Sequence, residues 1–180
     1  MTVPAAGVLV RERTAADLPA LVDILARQQP LSQYPFRWPL PFPAEEFIAR
    51  DGERAAWVAE VDGRVAGHVS VTGIAGNTDH DELITAWTGA TGATRDQLGC
   101  LSVLFADVDV RGRGVGRALM DVAEGWIVDH GLYPVLDVVP VGAPMALYAQ
   151  RGWRVVGEAR PPWLPDAEPP MQVMVLDRPG

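Results

Sequence analysis

The sequence predicts an α/β (α+β) fold, a sheet of about seven strands flanked by about four helices. Three observations carry that prediction. Short apolar runs of strand length recur along the chain, bounded by turn residues. Stripes of helical period lie between several of them. One glycine-dense turn, Val110–Arg117, joins an apolar run directly to an amphipathic one. At 180 residues the chain is expected to form one domain, 1–180, with a real core.

Gly7–Arg13 reads as the first strand. Thr14-x-x-Asp17 has capping-box spacing, and Leu18, Leu21, Val22 and Leu25 then share a helical face. Pro19 falls early in that helix, where proline does least harm. Pro30–Pro43 reads as a stiff irregular loop, because Pro30, Pro35, Pro39, Pro41 and Pro43 forbid a regular helix. Tyr34, Phe36, Trp38 and Phe42 stand between them; such a loop either folds onto the domain or offers its aromatics as a pocket wall. Ala44–Arg50 reads as a short helix. Ala55–Glu60 and Val65–Val71 read as strands joined by the hairpin signal Asp62-Gly63.

Gly73–Gly99 interrupts the sheet pattern as an insertion. Within it Thr78-Asp79 is the expected cap of a helix carrying Leu83, Ile84 and Trp87, and Thr88–Thr94 is expected to be loop. Cys100–Asp107 reads as a strand. Val115–His130 has the clearest helical stripe in the chain, Val115, Ala118, Leu119, Val122, Ala123, Trp126 and Ile127, with Gly131 placed to end it. Val135–Val139 reads as a buried strand, Ala143–Arg151 as a short helix closed by Gly152, and Trp153–Glu158 and Met171–Leu176 as the last two strands. Ala159–Pro170, with Trp163 among its prolines, is a second stiff loop.

Composition narrows the function classes. A formal net charge of −8 makes nucleic acid and anionic membrane surfaces poor partners and tolerates a cationic amine. The lone Cys100 excludes an internal disulfide and a multi-cysteine metal site; within its apolar run it reads as a buried, inert thiol. His68, His80 and His130 lack metal-ligand spacing, and His68, inside a strand, reads as structural or pocket-lining. No signal peptide and no membrane span is visible, so a cytoplasmic location is expected.

The glycine turn carries the chemistry. Gly112, Gly114 and Gly116 leave backbone amides unshielded at the positive end of a helix, which makes an anion site suited to phosphate. A dinucleotide fingerprint, Gly-x-Gly-x-x-Gly/Ala, fails at Arg117 or at Leu119. A Walker loop needs a lysine, and the chain has none. The spacing present is Arg-x-x-Gly-x-Gly, at Arg111, Gly114 and Gly116. The plain alternative is an ordinary glycine turn before a helix.

That spacing resembles the coenzyme A pyrophosphate loop of the GNAT superfamily of N-acetyltransferases, and the order of elements along almost the whole chain is similar to theirs. Leu104-Phe105-Ala106 falls at the strand end before the loop, and Leu136-Asp137-Val138 in the strand after the loop helix. Ala146-Leu147-Tyr148, running into Arg151-Gly152-Trp153, looks like the family's Ala/Ile-x-Leu-Tyr-x-x-x-Gly-Phe element, with Trp153 for phenylalanine. Two departures stand out: Val141 and Gly142 occupy the region of a frequent asparagine that helps hold the coenzyme, and Val108 replaces a usual proline.

The resemblance implies a mixed, mostly antiparallel GNAT-like sheet and direct acetyl transfer from acetyl-CoA to an amine, with no metal. It implies pyrophosphate binding by the amides of Gly112, Arg113, Gly114, Val115, Gly116 and Arg117, with Arg111, Arg113 and Arg117 able to add positive charge, though surface arginines serve solubility equally well. Leu104, Phe105 and Ala106 would bond the pantetheine arm through their backbone. Tyr148 would be the general acid. Asp137 stands where some members carry a glutamate base; it reads equally as a base or as a salt-bridged carboxylate, and a water chain is a third route for the proton. The two proline-rich loops are the expected walls for the acceptor, a small-molecule or peptide amine. An exposed final strand or the Trp163 loop could pair subunits into a homodimer. The competing reading is a non-catalytic acyl-CoA-binding module.

Overall fold

The computed structural model describes residues 7–74, 81–142 and 144–178. Seven strands form one sheet, β1 (Val8–Glu12), β2 (Glu53–Val61), β3 (Arg64–Thr72), β4 (Leu98–Ala106), β5 (Tyr133–Val138), β6 (Trp153–Ala159) and β7 (Met171–Leu176), in the order β1-β2-β3-β4-β5-β7-β6. Every pairing is antiparallel except β4 with β5. Among the described residues the helices are α1 (Leu18–Ser32), α2 (Ala44–Ile48), α3 (Asp81–Thr91), α4 (Val115–Asp129) and α5 (Met145–Gln150), each where the sequence pattern placed a helix. The expected Thr78-Asp79 cap of α3 lies outside the described residues.

Strand alternation sorts the side chains onto two faces. Val69, Val71, Leu101, Leu136 and Met174 pack under α4 with Leu119, Met120, Ala123 and Ile127. On the other face, Val58, Val103 and Phe105 pack with Leu21, Ile24 and Leu25 of α1 and Ile48 of α2. Farther along that face, Val135, Val173 and Val175 pack with Leu83 and Trp87 of α3. Trp87 donates its indole N–H to the Met174 carbonyl at 3.2 Å, which satisfies the polar edge of an otherwise apolar anchor.

Two sequence expectations are corrected. Helix α1 runs through Pro30 to Ser32 instead of ending before it. Proline there removes a single hydrogen bond in the last turn, and that turn is held by side chains. Buried Gln28 donates to the Tyr34 carbonyl and accepts from the Ser32 hydroxyl, and Gln33 closes the helix in the left-handed region at φ 57°. Helix α3 likewise continues to Thr91, into the stretch expected to be loop. The Thr88 and Thr91 hydroxyls bond back to the carbonyls of Ile84 (2.8 Å) and Trp87 (2.7 Å), so threonines that would favour a turn are absorbed by the helix.

The feature that shapes the site is the parting of β4 from β5. They pair only at Leu98–Tyr133, Gly99–Pro134 and Cys100–Val135, and then diverge. A bulge in β4 accompanies the divergence: His68 and Ser70 of β3 face Phe105 and Ser102, and Val103 takes φ 53°. Bulges bend the strand that carries them. Beyond Cys100 the sheet is therefore split, with β4 attached to one half and β5 to the other.

Candidate active site

A cavity of about 720 Å³ occupies the split. Its floor is the free edge of β4 from Leu101 to Ala106 and of β5 from Leu136 to Val138. One end is closed by Arg111, Gly116 and Leu147, at the start of α4 and in α5. The other end is closed by the loop after α1, by α2, and by Trp163 from the loop between β6 and β7.

At the first end, Gly112 and Gly114 take φ 79° and 80°, a left-handed backbone that glycine adopts without a Cβ penalty. Gly114 caps α4 with no side-chain hydrogen bond, and the first bond inside the helix runs from the Ala118 amide to the Gly114 carbonyl at 3.0 Å. The amides of Gly114, Val115, Gly116 and Arg117 thus have no helical partner and sit at the positive end of the dipole. The cradle fits a pyrophosphate, which needs several outward amides and little side-chain bulk.

The side chains of this loop diverge. Arg113 pairs with Asp62 of the β2–β3 hairpin at 2.8 Å, and Arg117 donates to Gln150 at 2.9 Å. Val115 is buried in the core. Of the loop residues singled out in the sequence, Arg111 and Gly116 line the cavity, while Gly112, Arg113, Gly114, Val115 and Arg117 lie outside its lining. Leu104, Phe105 and Ala106 all line it.

Tyr148 and Asp137 enter the same cavity from different elements. Tyr148 is 6% exposed, and burial, with the charge of Asp137 contributing, pushes its phenol well above the ordinary value of 10. It is a neutral donor at any physiological pH. The Arg151-Gly152-Trp153 element explains how α5 is placed. Arg151 bridges Asp121 (2.5 Å) and Glu124 (2.6 Å) of α4, Trp153 donates to Glu124 at 2.8 Å, and Gly152 turns the chain at φ 92°. These bonds lock the helix carrying Tyr148 to the helix whose start forms the amide cradle. Asp137 alternates with Leu136 along β5, so it lies on the α1–α2 side of the split, across the sheet from α4.

The proline-rich loops meet at the second end. The rings of Phe36 and Trp163 are 6.4 Å apart, and the Arg37 guanidinium lies 5.9 Å from the Trp163 ring centre. Tyr34 packs on Phe47 of α2 at 5.8 Å; burial pushes its phenol up to about 12, with Arg50 opposing and Asp137 adding. Burial likewise pushes the Cys100 thiol up to about 12, so it stays protonated and inert, as its apolar run suggested. Gln28, Phe47 and Arg50 also line the cavity and were not singled out by sequence reasoning. Nothing in the local pattern around Arg50, the last residue before Asp51-Gly52, distinguishes it from a solvated helix end.

His68 is fully buried against Phe105, ring centres 5.5 Å apart. Its Nδ1 lies 2.8 Å from the Val103 carbonyl, which can only accept; its Nε2 lies 3.0 Å from an Arg13 nitrogen, which can only donate. The ring is therefore neutral with its proton on Nδ1, and burial holds its pKa down at about 4. Among the described residues no three His, Cys, Asp or Glu side chains are grouped to hold a metal ion. Nor is any described helix long and apolar enough to cross a membrane.

Comparison with known proteins agrees with this geometry. No curated protein matches the sequence. Among solved structures, the ribosomal-protein-S18-alanine N-acetyltransferase from Escherichia coli superposes with a TM-score of 0.63 at 17% identity, over 94% of this chain and 92% of its own. The ribosomal-protein-alanine N-acetyltransferase from Brucella melitensis gives 0.63 at 22% identity, over 93% and 98%. A GNAT family acetyltransferase from Brucella melitensis, solved in complex with acetyl-CoA, gives 0.57 at 14% identity, over 95% and 89%. At these identities the likeness is one of fold. The sequence model of the acetyltransferase (GNAT) family matches residues 18–153, most of the chain, and the chain belongs to that family.

Proposed function

We propose that this chain, as one N-acetyltransferase domain over 1–180, transfers an acetyl group from acetyl-CoA directly to a primary amine. The observation that carries the reading is the split between β4 and β5. It joins an amide cradle at the start of α4 to an aromatic-walled compartment on the opposite face, with Tyr148 and Asp137 in its walls. Two substrates can meet there from opposite sides, and the chain need only align them.

The amides of Gly112–Arg117 bind the pyrophosphate, and the unpaired edge of β4 at Leu104–Ala106 directs the pantetheine arm along the split. Acetyl-CoA supplies the activated thioester. Asp137 takes the proton that the amine must lose, directly or through one water. As the new N–C bond forms and the C–S bond breaks, backbone donors on β4 stabilise the developing oxyanion, and Tyr148 gives its proton to the departing sulfur. Solvent restores the phenol.

Titration calorimetry with acetyl-CoA tests the reading, comparing the parent with Gly116→Asp. Gly116 has ordinary helical backbone, and a Cβ there would meet only Leu147 Cδ2 at 3.7 Å. The new carboxylate would sit at a helix N-terminus, which favours it. Folding should therefore be kept while the pyrophosphate is repelled, and affinity should fall by about a hundredfold or more. No binding by the parent would end the transferase reading. Binding without turnover on any amine would favour the non-catalytic acyl-CoA module.

A further inference from the structure

We propose that the amine accepted by this protein also carries a carboxylate, and that Arg50 is the residue that reads it; the proposal rests on the acetyltransferase reading above and names its substrate class. Arg50 lines the cavity at the end away from the amide cradle. Its Nε donates to the Phe47 carbonyl at 3.1 Å, and its guanidinium lies over the Phe47 ring, 4.6 Å from the centre. Those contacts fix the plane of the group and use one of its donors. Among the described residues neither terminal nitrogen makes a hydrogen bond, and a pair of guanidinium nitrogens matches a carboxylate with two parallel bonds.

The ion pairs of the described residues engage Arg11, Arg13, Arg27, Arg113, Arg151 and Arg154, and Arg50 is not among them. A cation stacked on an aromatic ring in the cavity wall, with no ion pair among the described residues, matches an anion brought by the ligand. Asp137 provides the opposite sign in the same space. Tyr34 and Cys100 both feel the positive charge of Arg50 and the negative charge of Asp137. A ligand in this cavity meets a guanidinium and a carboxylate in its walls, charges of the two signs carried by an amine that also bears a carboxylate. The chain's net charge of −8 points to a plain cationic amine, but this compartment does not share that bias.

The test uses matched acceptors that differ only in the carboxylate: phenylalanine against phenethylamine, methionine against 3-(methylsulfanyl)propylamine, and histidine against histamine. Thiol release with acetyl-CoA gives turnover, and a thermal shift of the coenzyme A-saturated protein gives binding. The carboxylate-bearing member of at least one pair should be used with a kcat/KM about thirtyfold higher than its partner. In Arg50→Gln that preference should vanish through KM, with kcat and acetyl-CoA affinity held within about threefold, and Arg50→Lys should recover part of it. Better use of the decarboxylated member, an unchanged preference in Arg50→Gln, or no carboxylate-bearing ligand bound by the coenzyme A-saturated protein would each overturn the proposal. Failure to bind acetyl-CoA at all would instead remove the transferase reading, and this proposal with it.

Discussion

Gly67→Ala tests whether the start of α4 is positioned by the strand beneath it. A Cβ on Gly67 would stand 2.8 Å from Val115 Cγ1, 3.1 Å from Leu119 Cδ1 and 3.1 Å from the Phe105 carbonyl oxygen. Carbon atoms rest about 3.5–4.0 Å apart, so the tightest contact is short by about 0.7–1.2 Å. Val115 cannot rotate away, because a β-branched side chain in a helix has essentially one rotamer, and the Phe105 oxygen belongs to the backbone. The helix must lift. Overpacking of this kind costs about 1–3 kcal/mol, which in a chain of this size lowers Tm by about 2–12 °C. Val115 is also the first residue of α4, so lifting it displaces the cradle amides, and acetyl-CoA affinity should fall by about tenfold. Gly125→Ala is the control on the same helix: its Cβ would meet nothing within 4 Å, and removing a helical glycine should add about 0.5–1 kcal/mol. Differential scanning calorimetry and acetyl-CoA titration of both variants decide the matter. A Gly67→Ala protein as stable as the parent, or the two variants shifting in the same direction, would refute the packing argument.

Three further outcomes are expected. Tyr148→Phe should lower kcat by about 10²–10⁴-fold while leaving acetyl-CoA affinity within about twofold, since only the proton donor is lost; full turnover in stopped-flow thiol release would exclude the acid role. Asp137→Asn should lower kcat/KM for the amine by about a hundredfold at neutral pH, and an unchanged rate would leave proton removal to water. Stability should fall on the acid side in two stages. His68 has its pKa depressed from 6.5 to about 4, so the unfolded chain binds the proton first and stability drops as pH falls from about 6.5 to 4, by about 3 kcal/mol. Asp17, held at about 2 by Arg11 at 2.8 Å, adds a loss between about pH 4 and 2. Urea titrations across that range should lose the first stage in His68→Gln and the second in Asp17→Asn.

Much of the sheet was legible because its signals are local. Asp62 and Gly63 both take positive φ, at 52° and 76°, as a two-residue hairpin requires, and the α4 stripe buries Val115, Leu119, Ala123 and Ile127 as its spacing demands. The misreadings came where tertiary bonds overrode local preference. Pro30 argued for a loop, but Gln28 ties the last turn of α1 from within. Thr88 and Thr91 argued for a turn, but their hydroxyls satisfied helical carbonyls. Within the site, residues tied to a motif were findable. Arg50 and Gln28 were not, because their placement depends on how α1 and α2 fold over β4, and that is set by the shared buried cluster of Leu21, Leu25, Ile48, Val103 and Phe105, which no short window contains.

The split in the sheet needs its own explanation, since parting β4 from β5 gives up ladder hydrogen bonds. Val103 shows what maintains it. A β-branched residue at φ 53° is strained by about 1–3 kcal/mol, and such a backbone persists only where its surroundings fix it. His68 supplies that constraint. Its Nδ1–H holds the Val103 carbonyl, and its ring stacks on Phe105, one turn of the pleat farther along the cavity wall. Arg13, paired with Glu53 at 2.6 Å, occupies the other ring nitrogen. A protonated ring would turn that nitrogen into a donor facing a guanidinium. The arrangement therefore depends on the neutral form, which complete burial enforces. The one histidine in an apolar strand, which composition alone could assign only to structure or to a pocket, does its work by holding open the bulge along which the substrates would lie.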